Sequence, residues 1–146
     1  MSRGMAEGGD CERVRVEGAV FSGRGEGGFY VGIYAKQFEK VIGYRPYPGT
    51  LNLRIREGQV EALVACVRRA NPLLVEPPRI EGARLGGVYV YRARIHVGLD
   101  YRDVYVVRPA ITHYKWDVVE VISNEYLRGE FKLKDGDVVE LEVYCC

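Results

Sequence analysis

The sequence predicts a single mainly β domain, a closed or nearly closed β-barrel with short helices at its ends. About seven short segments alternate apolar and polar residues and are separated by turn residues, as strands are. The chain shows no regular strand–helix–strand alternation, which parallel α/β sheets require. Its 146 residues fit one domain with a core of its own. In such a barrel the loops at one end would carry the function.

The predicted strands are short runs rich in β-branched and aromatic residues, bounded by glycine, proline or asparagine. In chain order they are residues 13–22, 29–34, 50–55, 87–96, 102–107, 118–122 and 138–144. A turn at 98–100 joins the fourth strand to the fifth. A second tight turn, at 134–137, leads into the last strand, where leucine and valine alternate with glutamate.

Two helices are predicted where apolar residues recur at helical spacing. The first spans 35–42, with Gly43 at the position of a C-terminal cap. The second spans 60–67 and ends before Pro72, because the residue before a proline disfavours helix. A single helical turn with a polar cap is predicted through Arg128.

Composition and charge limit the classes of partner. A net charge of +1 gives no reason to expect nucleic acid as a partner, so any anion site must be local. No uninterrupted apolar stretch approaches the roughly 20 residues of a membrane span, so no membrane contact is expected. Residues 1–11 are expected to form a flexible polar tail of a cytoplasmic protein, and residues 12–146 the folded domain. No feature indicates a protein partner.

The chain has four cysteines, Cys11, Cys66, Cys145 and Cys146. No Cys-x-x-Cys pair with metal-binding spacing occurs and only two histidines are present, which argues against a structural zinc site. Free thiols are expected, because disulfides are rare in reducing compartments. A disulfide from Cys11 to a cysteine at the C-terminus is the alternative if the terminal strands pair.

The first segment that could carry chemistry is glycine-rich, Ser-Gly-Arg-Gly-Glu-Gly-Gly-Phe-Tyr-Val at 22–31. Successive glycines let backbone N–H groups converge on an anion, and Arg24 would add a positive charge. A P-loop would need Gly-Lys-Ser/Thr and a following helix, and a dinucleotide fingerprint would also need that helix. Because a strand is predicted next, both familiar phosphate loops are disfavoured. The alternative is a flexible hairpin loop.

The second such segment, Pro-Tyr-Pro-Gly-Thr-Leu-Asn-Leu at 46–53, places Thr50 and Asn52 on one face of a strand. Both side chains offer neutral oxygen ligands. Mg²⁺ commonly keeps several waters and binds partly through substrate phosphates, so two such ligands can suffice. The alternative is a threonine that stabilises the turn and an asparagine bonded to nearby backbone.

Three motifs occur in order: Gly-Arg-Gly-Glu-Gly followed by Tyr-Val, then Pro-Tyr-Pro-Gly-Thr-Leu-Asn, then Thr…Glu…Leu-Arg…Leu-Lys-Asp-Gly-Asp. From about Val14 to Val143 the chain resembles the archaeal CTP-dependent riboflavin kinases. The resemblance implies a mainly β fold, a single six-stranded cradle-loop (RIFT-like) barrel with short peripheral helices. It implies transfer of the γ-phosphate of CTP to the 5′-hydroxyl of riboflavin, giving FMN and CDP, with one Mg²⁺ bound at the nucleotide phosphates.

The resemblance also implies residue roles. Around the nucleotide phosphates it places Arg24, Gly25, Glu26, Gly27, Gly28 and Phe29, and near the cytosine and ribose Glu125, Tyr126, Leu127 and Arg128. It implies Mg²⁺ ligation by Thr50 and Asn52, and flavin contacts from Thr112 and Glu120. It names no catalytic base. Glu120 and His113 are candidates for that role because of their side-chain chemistry. Where family members often have Ala-Pro, this chain has Ser123-Asn124.

Simpler interpretations of these residues stay open. Glu125 and Arg128 lie three apart on a helical turn, a spacing typical of a surface ion pair, and Thr112 and Glu120 would face solvent. Two non-enzymatic functions are the alternatives. The C-terminal segment is similar to swapped-hairpin DNA-binding regulators, but the low net charge and the lack of a Lys/Arg cluster argue against DNA. A flavin-binding module without turnover would not need the glycine-rich segment.

Overall fold

The computed structural model describes residues 11–23, 26–112 and 115–146. In these residues the elements are β1 (Arg13–Phe21), α1 (Glu26–Ile33), α2 (Ala35–Ile42), β2 (Leu51–Ile55), α3 (Val60–Arg69), β3 (Leu73–Val75), β4 (Val88–Val97), β5 (Asp100–Pro109), β6 (Val118–Ile122), α4 (Leu127–Glu130) and β7 (Val138–Tyr144). A 3₁₀ turn, Glu57–Gln59, leads into α3. Within the described part of the chain, none of the helices has both the length and the apolar character that crossing a bilayer demands.

Six antiparallel strands close into a barrel in the order β4-β5-β6-β2-β1-β7, and β7 pairs back with β4. The short strand β3 pairs only with β4 among the described strands and extends the sheet beside the barrel. This architecture confirms the predicted six-stranded barrel with short peripheral helices. The long pairing of β4 with β5 confirms the predicted turn at 98–100.

The interior of the barrel is filled by alternate residues of its strands, because successive side chains of a strand point to opposite faces. Val16 and Val20 of β1, for example, are buried in one cluster with Leu53 of β2 and Leu141 of β7. Helix α3 closes one side of this cluster with three further buried residues, Leu63, Cys66 and Val67.

A second apolar cluster lies on the outer face of the barrel wall. Val107 and Ile122 belong to it, whereas their chain neighbours Val106 and Val121 point into the barrel. Helices α1 and α2 cover this outer face, and the fully buried Phe38 of α2 packs there. The helix pair therefore forms a layer over β4, β5 and β6, and this layer covers part of the site described below.

The predicted strand at 29–34 is wrong, since these residues belong to α1 and its junction with α2. The run Phe-Tyr-Val-Gly-Ile-Tyr has strand propensity, but tertiary packing overrides it. Val31, Tyr34 and Phe38 are buried at helical spacing and form one stripe through both helices. The predicted helix at 35–42 is confirmed, and Gly43 ends it with a left-handed φ of 89°. Strand β3, at 73–75, was not predicted.

The expectation of free thiols is also wrong, because two disulfides join the four cysteines, Cys11 to Cys146 and Cys66 to Cys145. The register that pairs Arg13 with Tyr144 places Cys11 opposite Cys146 when it continues two residues outward. Alternation along β7 turns Cys145 inward, where it is buried against α3 and meets Cys66. The bridge from Cys11 to the C-terminus, left open by the sequence, is therefore present.

Candidate active site

The two segments singled out in the sequence lie against each other. Gly23 approaches the Asn52 side chain so closely that a Cβ at position 23 would overlap the amide nitrogen. On the other side of the loop, a Cβ at Gly28 would lie 3.2 Å from the Pro48 carbonyl oxygen. Glycine is required at the first position because any side chain would displace the asparagine.

We expect Gly23→Ala to lower the rate of any reaction at this site at least tenfold while leaving the unfolding midpoint almost unchanged. The added methyl group would push the flexible Asn52 amide aside, and no backbone atom would have to move. Steady-state kinetics and thermal unfolding of the same sample measure the two effects. Gly58→Ala is a matched control, since a Cβ there meets nothing within 4 Å. Wild-type kinetics of Gly23→Ala would contradict the prediction.

Thr50 and Asn52 project from the outer face of the barrel at the start of β2, since Leu51 and Leu53 point into the interior. The Thr50 hydroxyl donates a hydrogen bond of 2.9 Å to the Asn52 side-chain oxygen. In octahedral coordination at about 2.0–2.1 Å, neighbouring ligand oxygens of Mg²⁺ are about 2.9 Å apart. The two oxygens therefore already have the separation of adjacent ligands of one magnesium ion, and the site fits the metal.

Glu120 lies directly across from Asn52 in the pairing of β2 with β6 and projects from the same outer face. Tyr30 of α1 faces its carboxylate, and burial together with the Glu120 charge raises the pKa of Tyr30 well above its usual value. Thr112, half-buried, lies in the segment between β5 and β6. The sequence placed the site in loops at one end of the barrel, whereas these strand residues lie on its outer wall.

A small cleft of about 70 Å³, partly open to solvent, lies where β2 begins and β6 ends. Its lining brings Thr50 together with the whole predicted segment Glu125, Tyr126, Leu127 and Arg128. The rings of Tyr126 and Tyr47 stack at a centroid distance of 4.8 Å, and both are substantially exposed. The Leu127 side chain packs into the interior core. Thr50 and the 125–128 segment thus share one cleft, whose lining does not include Asn52.

Glu125 and Arg128 do not form the surface ion pair that their spacing favours. The Glu125 carboxylate instead forms an ion pair with the Arg102 guanidinium at 3.0 Å. Arg128 donates to the Asp135 carboxylate and, over 3.2 Å, to the Ser22 hydroxyl, which in turn donates to Asp135 over 2.9 Å. These hydrogen bonds lower the pKa of Asp135, so it stays ionised near neutral pH. The contact holds the Arg128 guanidinium beside the start of the glycine-rich segment.

Comparison with known proteins shows which family the chain belongs to. A family model named for CTP-dependent riboflavin kinases, and described as a domain of unknown function (DUF120), matches residues 20–143. The chain belongs to the CTP-dependent riboflavin kinase family.

Three curated riboflavin kinases illustrate the similarity within this family. The chain is 46% identical over 127 residues to that of Aeropyrum pernix, covering 87% of this chain and 93% of that protein. It is 34% identical to that of Staphylothermus marinus, covering 90% and 92%. It is 40% identical to that of Archaeoglobus fulgidus, where it spans 89% of this chain but only 54% of the longer protein.

Ser123 and Asn124 directly precede the 125–128 segment. Ser123 is buried, and its hydroxyl oxygen accepts a hydrogen bond of 3.1 Å from the Glu125 backbone N–H. Its carbonyl accepts a second bond, of 2.8 Å, from the Tyr47 N–H. These two bonds restrain the backbone before the 125–128 segment, as the fixed φ of proline would.

Several residues that the CTP-dependent riboflavin kinase resemblance names, Arg24, Gly25 and His113, lie outside the described residues. The other four of the first group, Glu26, Gly27, Gly28 and Phe29, lie in the first half of α1. The expectation that no helix follows the glycine-rich segment is therefore wrong. The segment leads into a helix N-terminus, as phosphate-binding loops do, although it lacks Gly-Lys-Ser/Thr.

The sequence interpretation missed the contacts that Ser22 and Asp135 make with Arg128 and that Tyr47 makes with Tyr126. Asp135 was assigned only to a tight turn, and its contact with Arg128 depends on how the turn at 134–137 meets β1. For Tyr47 a signal existed, since it lies inside the proline-rich motif. An aromatic ring between two prolines and next to Thr50 and Asn52 is a candidate for the wall of a binding site.

Proposed function

We propose that the protein transfers the γ-phosphate of CTP to the ribityl 5′-hydroxyl of riboflavin, producing FMN and CDP with the help of Mg²⁺. The observation that carries the proposal is the close approach of the glycine-rich segment, through Gly23, to the amide nitrogen of Asn52, whose side-chain oxygen accepts the hydrogen bond from Thr50. An anion-binding loop and a magnesium ligand pair are thereby joined, as transfer of a phosphoryl group requires. Residues 12–146 would form the single catalytic domain.

The chain offers two kinds of group to the nucleotide phosphates. Backbone N–H groups of the glycine-rich segment and of the first turn of α1 have no partner within the helix and favour negative charge. The Arg128 guanidinium, held by Asp135 and Ser22, lies beside the same segment. Together they would orient the triphosphate and stabilise the charge that develops on it during transfer.

Thr50 and Asn52 would hold Mg²⁺ through their side-chain oxygens. When bound, the ion would neutralise phosphate charge and help to align the transferred group. Because both ligands are neutral, the phosphates themselves must supply the negative charge that holds the ion. The ligand pair is therefore suited to a metal that arrives with the nucleotide.

Riboflavin would bind on the Thr112 and Glu120 side of the site. Glu120 lies across the β2–β6 pairing from Asn52, so a flavin held there places its ribityl chain near the phosphate groups. The ribityl oxygen attacks the γ-phosphorus, the bond from that phosphorus to the bridging oxygen of CDP breaks, and the hydroxyl proton leaves. Glu120 and His113 are the candidates to accept the proton, and positioning contributes more than either, because the transition state is loose.

The test is to measure CDP and FMN formation from riboflavin with CTP and with ATP, each with and without Mg²⁺. We expect FMN with CTP and Mg²⁺ and little with either omitted. Turnover with ATP but not CTP would contradict the nucleotide assignment. Riboflavin binding without any turnover would instead favour a flavin-binding module.

A further inference from the structure

The starting observation is that helix α4 is too short to be stable by itself. It has four residues, Leu127–Glu130, and in the described structure no side chain caps its N-terminus at Tyr126. An isolated helix needs roughly 12 to 15 residues to be even marginally stable in water. Contacts with the rest of the protein must therefore hold α4, and with it the 125–128 segment, in place.

Arg102 of β5 makes such contacts on both sides of α4. Its Nε donates to the Glu125 carboxylate over 3.0 Å, and its Nη2 donates to the Glu130 carboxylate over 3.3 Å. Its guanidinium also lies over the Phe131 ring, 4.8 Å from the ring centroid. Glu125 precedes the helix, Glu130 is its last residue and Phe131 follows it. One planar group thus joins the chain before and after α4, which the fixed fork of arginine donors allows.

Arg102 is itself held by a rigid part of the fold. It lies near the start of β5, which pairs with β4 along its whole length. Val104 and Val106 of the same strand belong to the interior core, so Arg102 projects from the interior face of the barrel wall. Phe131 packs against the same core. The Arg102 contacts therefore fix the region around α4 to the barrel itself.

Arg102 does not line the cleft to which residues 125–128 contribute. It would therefore act on a bound nucleotide only through these residues. Two of them have anchors elsewhere, because Leu127 packs into the interior core and Arg128 donates to Asp135. The contact with Arg102 supplies an anchor at Glu125, where the segment begins.

We propose that Arg102 is a positioning residue for the nucleotide, which holds residues 125–128 in their binding conformation before the nucleotide arrives. The inference rests on the proposed function, in which CTP is the donor and this segment lies near its cytosine and ribose. Without Arg102 the segment would adopt other conformations, and the apparent affinity would fall with the fraction that stays competent. The glycine-rich segment, Thr50 and Asn52 lie on other elements, so transfer from a nucleotide already bound would continue.

The experiment measures CDP affinity with Mg²⁺ by calorimetry, kcat and both KM values by steady-state kinetics, and the unfolding midpoint in denaturant. Arg102→Ala is expected to weaken CDP binding and to raise the KM for CTP, each about tenfold. The kcat and the KM for riboflavin should change less than about twofold. The unfolding midpoint should fall only slightly, because ion pairs between partly exposed side chains contribute little to stability.

Two further variants test whether Arg102 acts by joining the two carboxylates. Arg102→Lys should restore only part of the CDP affinity, because one ammonium group cannot reproduce the fork of donors. Glu130→Gln removes the carboxylate outside the 125–128 segment and should also weaken CDP binding, though less than Arg102→Ala does. Combined with Arg102→Ala it should cause no further loss, because both changes break the same contact.

Arg94→Ala is the matched control. Arg94 forms an ion pair with Asp103 at 2.9 Å and lies 4.2 Å from the Tyr101 ring centroid, so it makes the same two kinds of contact away from the segment. It should keep wild-type CDP affinity and wild-type KM values. An Arg102→Ala protein that binds CDP as the wild type does would overturn the inference, and so would an equal rise in both KM values. If the wild type binds no CDP, the proposed function fails as well.

Discussion

Thr50→Ala and Asn52→Ala are each expected to lower kcat for FMN formation about 100-fold or more. Each change removes one of two oxygens that have the spacing of adjacent magnesium ligands. Loss of a group that stabilises developing charge commonly costs about 100- to 1,000-fold in rate. Raising the Mg²⁺ concentration should restore part of the activity of each single variant, because one protein oxygen and the nucleotide phosphates remain.

The matched control for this pair is Arg54→Ala. Arg54 follows Asn52 on the same outer face of β2, is exposed and covers the Phe21 ring at 4.9 Å. Its loss should change kcat less than threefold. The double variant Thr50→Ala/Asn52→Ala should not respond to added Mg²⁺ at all. A double variant with wild-type rates and wild-type magnesium dependence would show that the metal binds elsewhere.

Much of the barrel could be predicted because its strands obey a local rule. In residues 13–17 of β1 and 139–143 of β7, apolar residues alternate with charged ones, and the apolar residues are the more buried ones. Helix α1 could not be found in the same way, because its residues have strand propensity and only packing on the outer wall makes them helical. The helical spacing of Val31, Tyr34 and Phe38, all of which are buried, was the signal in the sequence that could have indicated the helix.

The residues of the candidate site also divide into those that the sequence could predict and those that it could not. Thr50 and Asn52 could be paired from sequence, because two strand residues at i and i+2 always share a face. The contact of Gly23 with Asn52 could not, since it joins residues whose approach depends on the β1–β2 register. The Arg128–Asp135–Ser22 cluster likewise joins helix α4 with two separate loops. Local periodicity thus yields the candidate ligands, and only the closed barrel yields the shape around them.

The two disulfides give the second large expected effect. Reduction of both should lower the free energy of unfolding by several kcal/mol, since each disulfide typically contributes about 2 to 4 kcal/mol by constraining the unfolded chain. The residues they join are 135 and 79 positions apart. None of the four cysteines lines the cleft, so kcat at low temperature should stay the same. Denaturant unfolding with and without reductant measures the first effect, and a thiol assay in denaturant without reductant should find no free thiol.

Removal of the one disulfide should destabilise the protein more than removal of the other, and loop length does not explain the difference. The difference in loop length changes the free energy of loop closure by only about 0.5 kcal/mol, because this free energy grows with the logarithm of loop length. Cys66 and Cys145 are buried in the barrel core, whereas Cys146 is exposed. Cys66→Ala/Cys145→Ala leaves a cavity as well as an open loop and should be the less stable variant. Cys11→Ser/Cys146→Ser loses only the cross-strand link. Equal unfolding midpoints would show that burial of the sulfurs adds nothing to the constraint.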